Sequence, residues 1–121
     1  MTVVVWAGVA AMGGFGAVLR FLVDRTVSSR IGGSFPYGTF VVNISGALLL
    51  GLLSGLVLSP NMALLAGTAF VGSYTTFSTW MLETQRLSEE RQTRPAVANI
   101  VVSVVVGLAA AWLGIWIGGR P

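Results

Sequence analysis

The chain has 121 residues, 55% of them hydrophobic and 9% charged, whereas a soluble domain carries about a quarter charged residues. That composition excludes an ordinary soluble domain and fits one membrane-embedded domain. The net charge of +3 comes from seven arginines against four acids, with no histidine or cysteine, which argues against a nucleic-acid surface and excludes a disulfide or thiolate site.

Four apolar segments follow in chain order, each near the roughly 20 residues that a bilayer-crossing helix needs. The first covers residues 3–23. It lacks a basic leading region, so it reads as a retained span and not a cleaved signal. "SSRIGGSFPYG" is a turn-rich loop before the second segment, residues 38–58. Thr39 and Asn43 stand four apart there and share one helix face. "SPN", starting at Ser59, is a tight connection, because proline cannot continue a helix. The third segment covers residues 62–82 and carries Thr68, Ser73, Thr75, Thr76, Ser78 and Thr79. "ETQRLSEERQTR", from Glu83 to Arg94, is polar; a solvated turn is the expectation, with a helix extension as the other option. The fourth segment covers residues 95–118, where Asn99, Ser103 and Gly107 repeat at intervals of four. These runs are continuous and not alternating, so four helices are expected and not a β-barrel. Glycines are frequent inside the segments, and small residues let helices approach closely in lipid. Four short helices enclose little interior, so an oligomer is expected.

The hydroxyl cluster centred on Gly72 to Thr76 lies about ten residues from each end of the third segment, near the bilayer midplane. Glycine, serine and two β-branched threonines are poor helix formers. A break there frees backbone carbonyls, and irregular backbone at membrane depth persists only where protein buries it or it faces water or ions. An ion site is one reading. An intact helix, with each hydroxyl bonded to its own backbone, is the other. No carboxylate lies within a hydrophobic core; Asp24 and Glu83 are expected at span ends. That disfavours a proton-coupled multidrug-type exporter. No nucleophile–base pair, metal-ligand cluster or phosphate loop is present, so the chain is not expected to be an enzyme. No organic cofactor is expected.

Four stretches carry a resemblance to a known family. They are "GAVLRF" from Gly16, "PYGTFVVNISGALLLGLL" from Pro36, "GSYTTFSTW" from Gly72 and, more weakly, "NIVVSVVVGL" from Asn99. Together they make the chain resemble the Fluc (CrcB) fluoride channels along essentially its whole length. Two positions depart from the family pattern: Trp80 stands in place of phenylalanine, and Ser73 in place of a second glycine.

The resemblance implies an all-α integral membrane protein with four transmembrane helices per subunit. Its third helix is broken at mid-membrane, and an antiparallel dimer encloses two narrow pores. It implies a passive, fluoride-selective path that exports fluoride across a bacterial-type inner membrane. A structural sodium ion would sit at the dimer centre, held by backbone carbonyls of Gly72 and Thr75. Asn43 would donate a hydrogen bond near the pore. Phe77 and Trp80 would turn ring edges, which are electropositive, toward the anion. Thr39, Ser78, Thr79 and Ser103 are candidate hydroxyl donors, and Arg20 would draw anions into a vestibule. The partners implied are fluoride, lipid and either an identical or a homologous subunit.

The arginines bear on that last choice. Arg25, Arg30, Arg86, Arg91 and Arg94 fall on one expected side and Arg120 on the other. Such asymmetry favours a fixed orientation. It leaves open a heterodimer with an oppositely oriented homologue, in which this chain conducts through one pore or none.

Overall fold

The structure is a computed structural model that describes residues 2–119. Regular structure among these residues is entirely helical. Helix α1 spans Val3–Arg30, started by Thr2, whose hydroxyl accepts the Val5 N–H at 3.3 Å. At 28 residues it is roughly 40 Å long, more than the hydrocarbon thickness of about 30 Å. It therefore runs past the expected end of the first span. Asp24, Arg25 and Arg30 ride on helix, not loop. Helix α2 spans Tyr37–Leu56 and stops at Val57, in the left-handed region at φ 51°. Ser59 then caps the next helix by accepting the Met62 N–H, and Pro60 occupies its first turn. Proline fits there because those N–H groups lack helical acceptors. The "SPN" connection is thus also a helix start.

Helix α3 covers residues 60–74 and is composite. Pro60–Met62 and Gly72–Tyr74 are α-helical, and Ala63–Val71 between them is π-helical. The chain leaves helical geometry at Thr75, which is extended at φ −81° and ψ 163°. Helix α4, Ser78–Glu89, follows at once. The polar stretch after Glu83 is therefore helix through Glu89, which corrects the expectation of a solvated turn. Glutamate, glutamine, arginine and leucine are strong helix formers, and their propensity prevails. Helix α5 spans Thr93–Gly118, with Pro95 in its first turn.

Helices α1, α2 and α5 are each long and apolar enough to cross a bilayer. The third apolar segment is divided between α3 and α4, and neither half alone reaches that length. The main packing seam joins α2 and α5. Gly51 and Gly55 face Gly114 and Gly118, so each helix offers a glycine pair spaced by four. A Cβ at Gly51 would strike the Ala111 carbonyl, and one at Gly114 would strike the Leu48 carbonyl. Backbone contacts that close require glycine. On the other side α1 receives α3 at Gly16, against the Phe70 carbonyl.

Few apolar side chains are buried, chiefly Val42, Val71, Tyr74 and Leu87. Most of the apolar surface of α1 and α5 faces outward. Both carboxylates expected at span ends lie inside helices. Asp24 packs against Gly38 and accepts a bond from Ser28 at 3.1 Å. Glu83 is half-buried on α4, with Oε1 buried and unpartnered.

Candidate functional site

The interruption between α3 and α4 is held from outside by one side chain. Asn43, on α2, donates from Nδ2 to the Thr76 carbonyl at 2.8 Å. Its Oδ1 accepts the Thr76 N–H at 2.8 Å. The amide satisfies both backbone groups of a residue that has left the helix, as buried backbone requires. The Thr76 hydroxyl accepts the Thr79 N–H at 3.2 Å and so serves the first turn of α4. Thr75 bonds back to the Val71 carbonyl through its N–H and through its hydroxyl, both at 3.0 Å.

These bonds account for two carbonyls. In an unbroken helix the Gly72 carbonyl would accept the Thr76 N–H, and the Thr75 carbonyl would accept the Thr79 N–H. Asn43 takes the first N–H and the Thr76 hydroxyl takes the second. Gly72 and Thr75 are therefore left with carbonyls freed from their helical partners. Gly72 itself is helical and exposed, at φ −60°. Ser73 is also helical, outside the positive-φ residues, so serine fits where the family pattern has glycine. Gly46 on α2 permits the close approach of Thr75, whose Cγ2 occupies the space a Cβ would need.

A second network ties α4 to α5. The Trp80 indole N–H donates to the Asn99 carbonyl at 3.0 Å. Asn99 Nδ2 donates to Thr84 Oγ1 at 2.8 Å and to the Trp80 carbonyl at 3.4 Å. Thr84 Oγ1 donates to that same carbonyl at 2.9 Å. Phe77 meets Trp80 edge to face, with centroids 5.7 Å apart and planes at 75°. Phe77 is 70% exposed.

The predicted residues gather in adjoining clefts. Arg20, Thr39 and Thr79 line one of about 190 Å³, together with Asp24 and Thr76. Asn43, Trp80 and Ser103 line a groove of about 380 Å³ between α2 and α5. Asn43, Thr75, Phe77 and Trp80 line another of about 280 Å³ at the break. Asn43 and Trp80 belong to both of the last two. Gly72 and Thr75 line a further hollow of about 420 Å³ between α2 and α3. Ser78 is exposed beyond these clefts, 3.5 Å from the Thr76 hydroxyl. Thr39 is buried, and Ser103 Oγ is buried without a partner.

Three residues outside the sequence-derived set hold this site together. Thr76 is the anchor point for Asn43. Asn99, fully buried, links Trp80 to Thr84. Tyr74 bonds to Ser45 at 2.9 Å and fixes the end of α3 to α2. The spacing of Asn99, Ser103 and Gly107 was the one signal that pointed toward this face of α5.

A family model described as "CrcB-like protein, Camphor Resistance (CrcB)" matches residues 7–115. The chain belongs to the CrcB family. It is 68% identical over 117 residues to a Mycobacterium tuberculosis protein named "Fluoride-specific ion channel FluC 2", covering 97% of this chain and 93% of that one. A protein of the same name from Mycolicibacterium paratuberculosis is 70% identical over 113 residues, 93% of each chain. "Fluoride-specific ion channel FluC 1" of Symbiobacterium thermophilum is 44% identical over 119 residues, covering 93% of this chain and 96% of that protein. With its three apolar helices, this CrcB-family chain is a multi-pass membrane protein.

Proposed function

We propose that the chain is a passive, fluoride-selective channel of the cell membrane that lets fluoride leave the cell, and that it is not an enzyme. Fluoride enters cells as HF and is held inside as the anion, so a passive path suffices for export. The observation that carries this reading is the interrupted helix, with Asn43 in its gap and an aromatic pair beside it. The names of its relatives agree with that reading.

Fluoride holds its hydration shell strongly, so a path for it needs hydrogen-bond donors at close intervals. Arg20 is the positive charge in the cleft that also contains Thr39, Thr79 and the Asp24 carboxylate. The second N–H of Asn43, the Ser103 hydroxyl, the Ser78 hydroxyl and the positive edge of Phe77 supply further sites. The positive end of the α4 dipole faces the interruption and favours an anion there. The Trp80 indole N–H is engaged by the Asn99 carbonyl, so Trp80 offers the anion ring edge and shape only.

Helices α3 and α4 together make a fourth crossing, with the interruption near mid-membrane. Two subunits in antiparallel array bring two such interruptions together. The freed carbonyls of Gly72 and Thr75 fit a small hard cation. They are the residues that would hold a structural sodium ion, whose charge ties the two interruptions to each other. No step of permeation passes through it.

Fluoride efflux from liposomes containing this chain alone, with chloride as the control ion, tests the proposal. Rapid release of fluoride and retention of chloride is the expected result. Folded protein without efflux would replace this reading by a second one. In that reading the chain is one subunit of a heterodimer with an oppositely oriented homologue, which the arginine asymmetry favours. Arg120, the one arginine expected on the other side, lies outside the described residues.

A further inference from the structure

Ser103 presents an unusual condition. A serine inside a transmembrane helix ordinarily returns its hydroxyl proton to a carbonyl three or four residues earlier, as Ser45 does to Val42 at 3.1 Å; Ser103 makes neither bond. The carbonyl four residues before Ser103 belongs to Asn99. A carbonyl oxygen has two lone pairs. In the middle of α5, one serves the helical N–H of Ser103 itself. The other receives the Trp80 indole N–H at 3.0 Å. Both sites are taken, and Ser103 Oγ, buried to within 9% exposure, has no partner. The same residue lines the groove with Asn43 and Trp80. A buried hydroxyl without an acceptor carries a desolvation cost that an incoming acceptor removes.

The geometry points to Trp80 as a positioning residue: by saturating the Asn99 carbonyl, its indole N–H keeps the Ser103 hydroxyl available to donate to an anion in the groove. This inference rests on the reading of the chain as a fluoride channel. It gives the tryptophan a task that phenylalanine, the residue of the family pattern, cannot perform. With phenylalanine at position 80 the Asn99 carbonyl regains a lone pair. The Ser103 hydroxyl then turns to it and is withdrawn from the groove.

The test is a double-mutant cycle read as fluoride efflux from liposomes. Ser103→Ala slows the wild-type chain about tenfold, the loss of one charge-assisted hydrogen bond. Trp80→Phe slows it similarly, and adding Ser103→Ala to Trp80→Phe costs nothing further. Trp80→His, assayed at pH 8, keeps a ring N–H at the same position and restores the sensitivity to Ser103→Ala. Trp112→Phe, at a 67% exposed ring, leaves efflux unchanged. Equal slowing by Ser103→Ala in the wild-type chain and in the Trp80→Phe variant overturns the inference while the channel reading stands. So does faster efflux from Trp80→Phe. If Trp80→Phe does not fold, the Trp80→His variant decides alone: insensitivity to Ser103→Ala there overturns the inference. Absence of fluoride efflux from the folded wild-type chain is a failure of the channel reading itself and removes the donor role with it.

Discussion

At the scale of single residues, Asn43 concentrates most of the site's order. Its amide supplies one acceptor and one donor, matched to the N–H and C=O of Thr76. Aspartate matches only half of that pair and sets a carboxylate oxygen against the Thr76 carbonyl. Asn43→Asp is therefore expected to lower thermal stability by about 1–3 kcal/mol and to suppress fluoride efflux at least tenfold, because it also places negative charge beside an anion path. A melting curve and a liposome assay on the same preparation check both effects. Unchanged efflux would remove Asn43 from the path, and an unchanged melt would deny it the anchoring role. Asn43 was legible in the sequence as a polar residue inside an apolar run. Its partner was not, because the bond is to backbone, and backbone acceptors leave no mark on residue identity.

At the scale of elements, the helices divide into a rigid seam and an interrupted pair. The seam between α2 and α5 depends on backbone contact at Gly51 and Gly114. Gly114→Leu forces a side chain into the Leu48 and Leu52 backbone and is expected to cost about 1–3 kcal/mol or to prevent folding. Gly14→Ala, where a Cβ meets nothing within 4 Å, is expected to be neutral or slightly stabilising. Thermal melts in detergent compare the two, and equal stability would remove close packing as the reason for Gly114. The glycine-rich pattern announced tight helix contacts. Which glycines make them depends on the rotation of α2 against α5, which spacing alone does not determine. The polar stretch from Glu83 shows the reverse case. Its good helix formers pointed to helix, yet its polarity favoured a turn, and the structure follows propensity.

At the scale of the whole molecule, the single chain leaves much apolar surface uncovered. Only 6% of the apolar stretch of α1 and 6% of that of α5 is buried within the subunit. Phe77, at the edge of the interruption, is largely exposed. Lipid covers part of such a surface, and a second subunit is the proposed cover for the rest. If a sodium ion bridges two interruptions through Gly72 and Thr75, replacing sodium with a large organic cation is expected to lower dimer stability. The shift is readable as more monomer in cross-linking or single-molecule counting. A dimer indifferent to that exchange would exclude the shared cation site.

Sequence by itself determined the class of this protein: 55% hydrophobic residues with 9% charge place it in lipid, and continuous apolar runs leave backbone groups there only the partners of a helix. It also determined where helical order is weak, since Gly72, Thr75 and Thr76 are poor helix formers. Only the tertiary structure decided what replaces the lost helical bonds. Asn43 from α2 takes the Thr76 backbone in their place, and separately the Asn99 carbonyl on α5 takes the Trp80 indole side chain. These pairs join residues 33 and 19 positions apart. Such bonds form only after three helices have packed, and no local pattern of residues encodes which donor will find which acceptor.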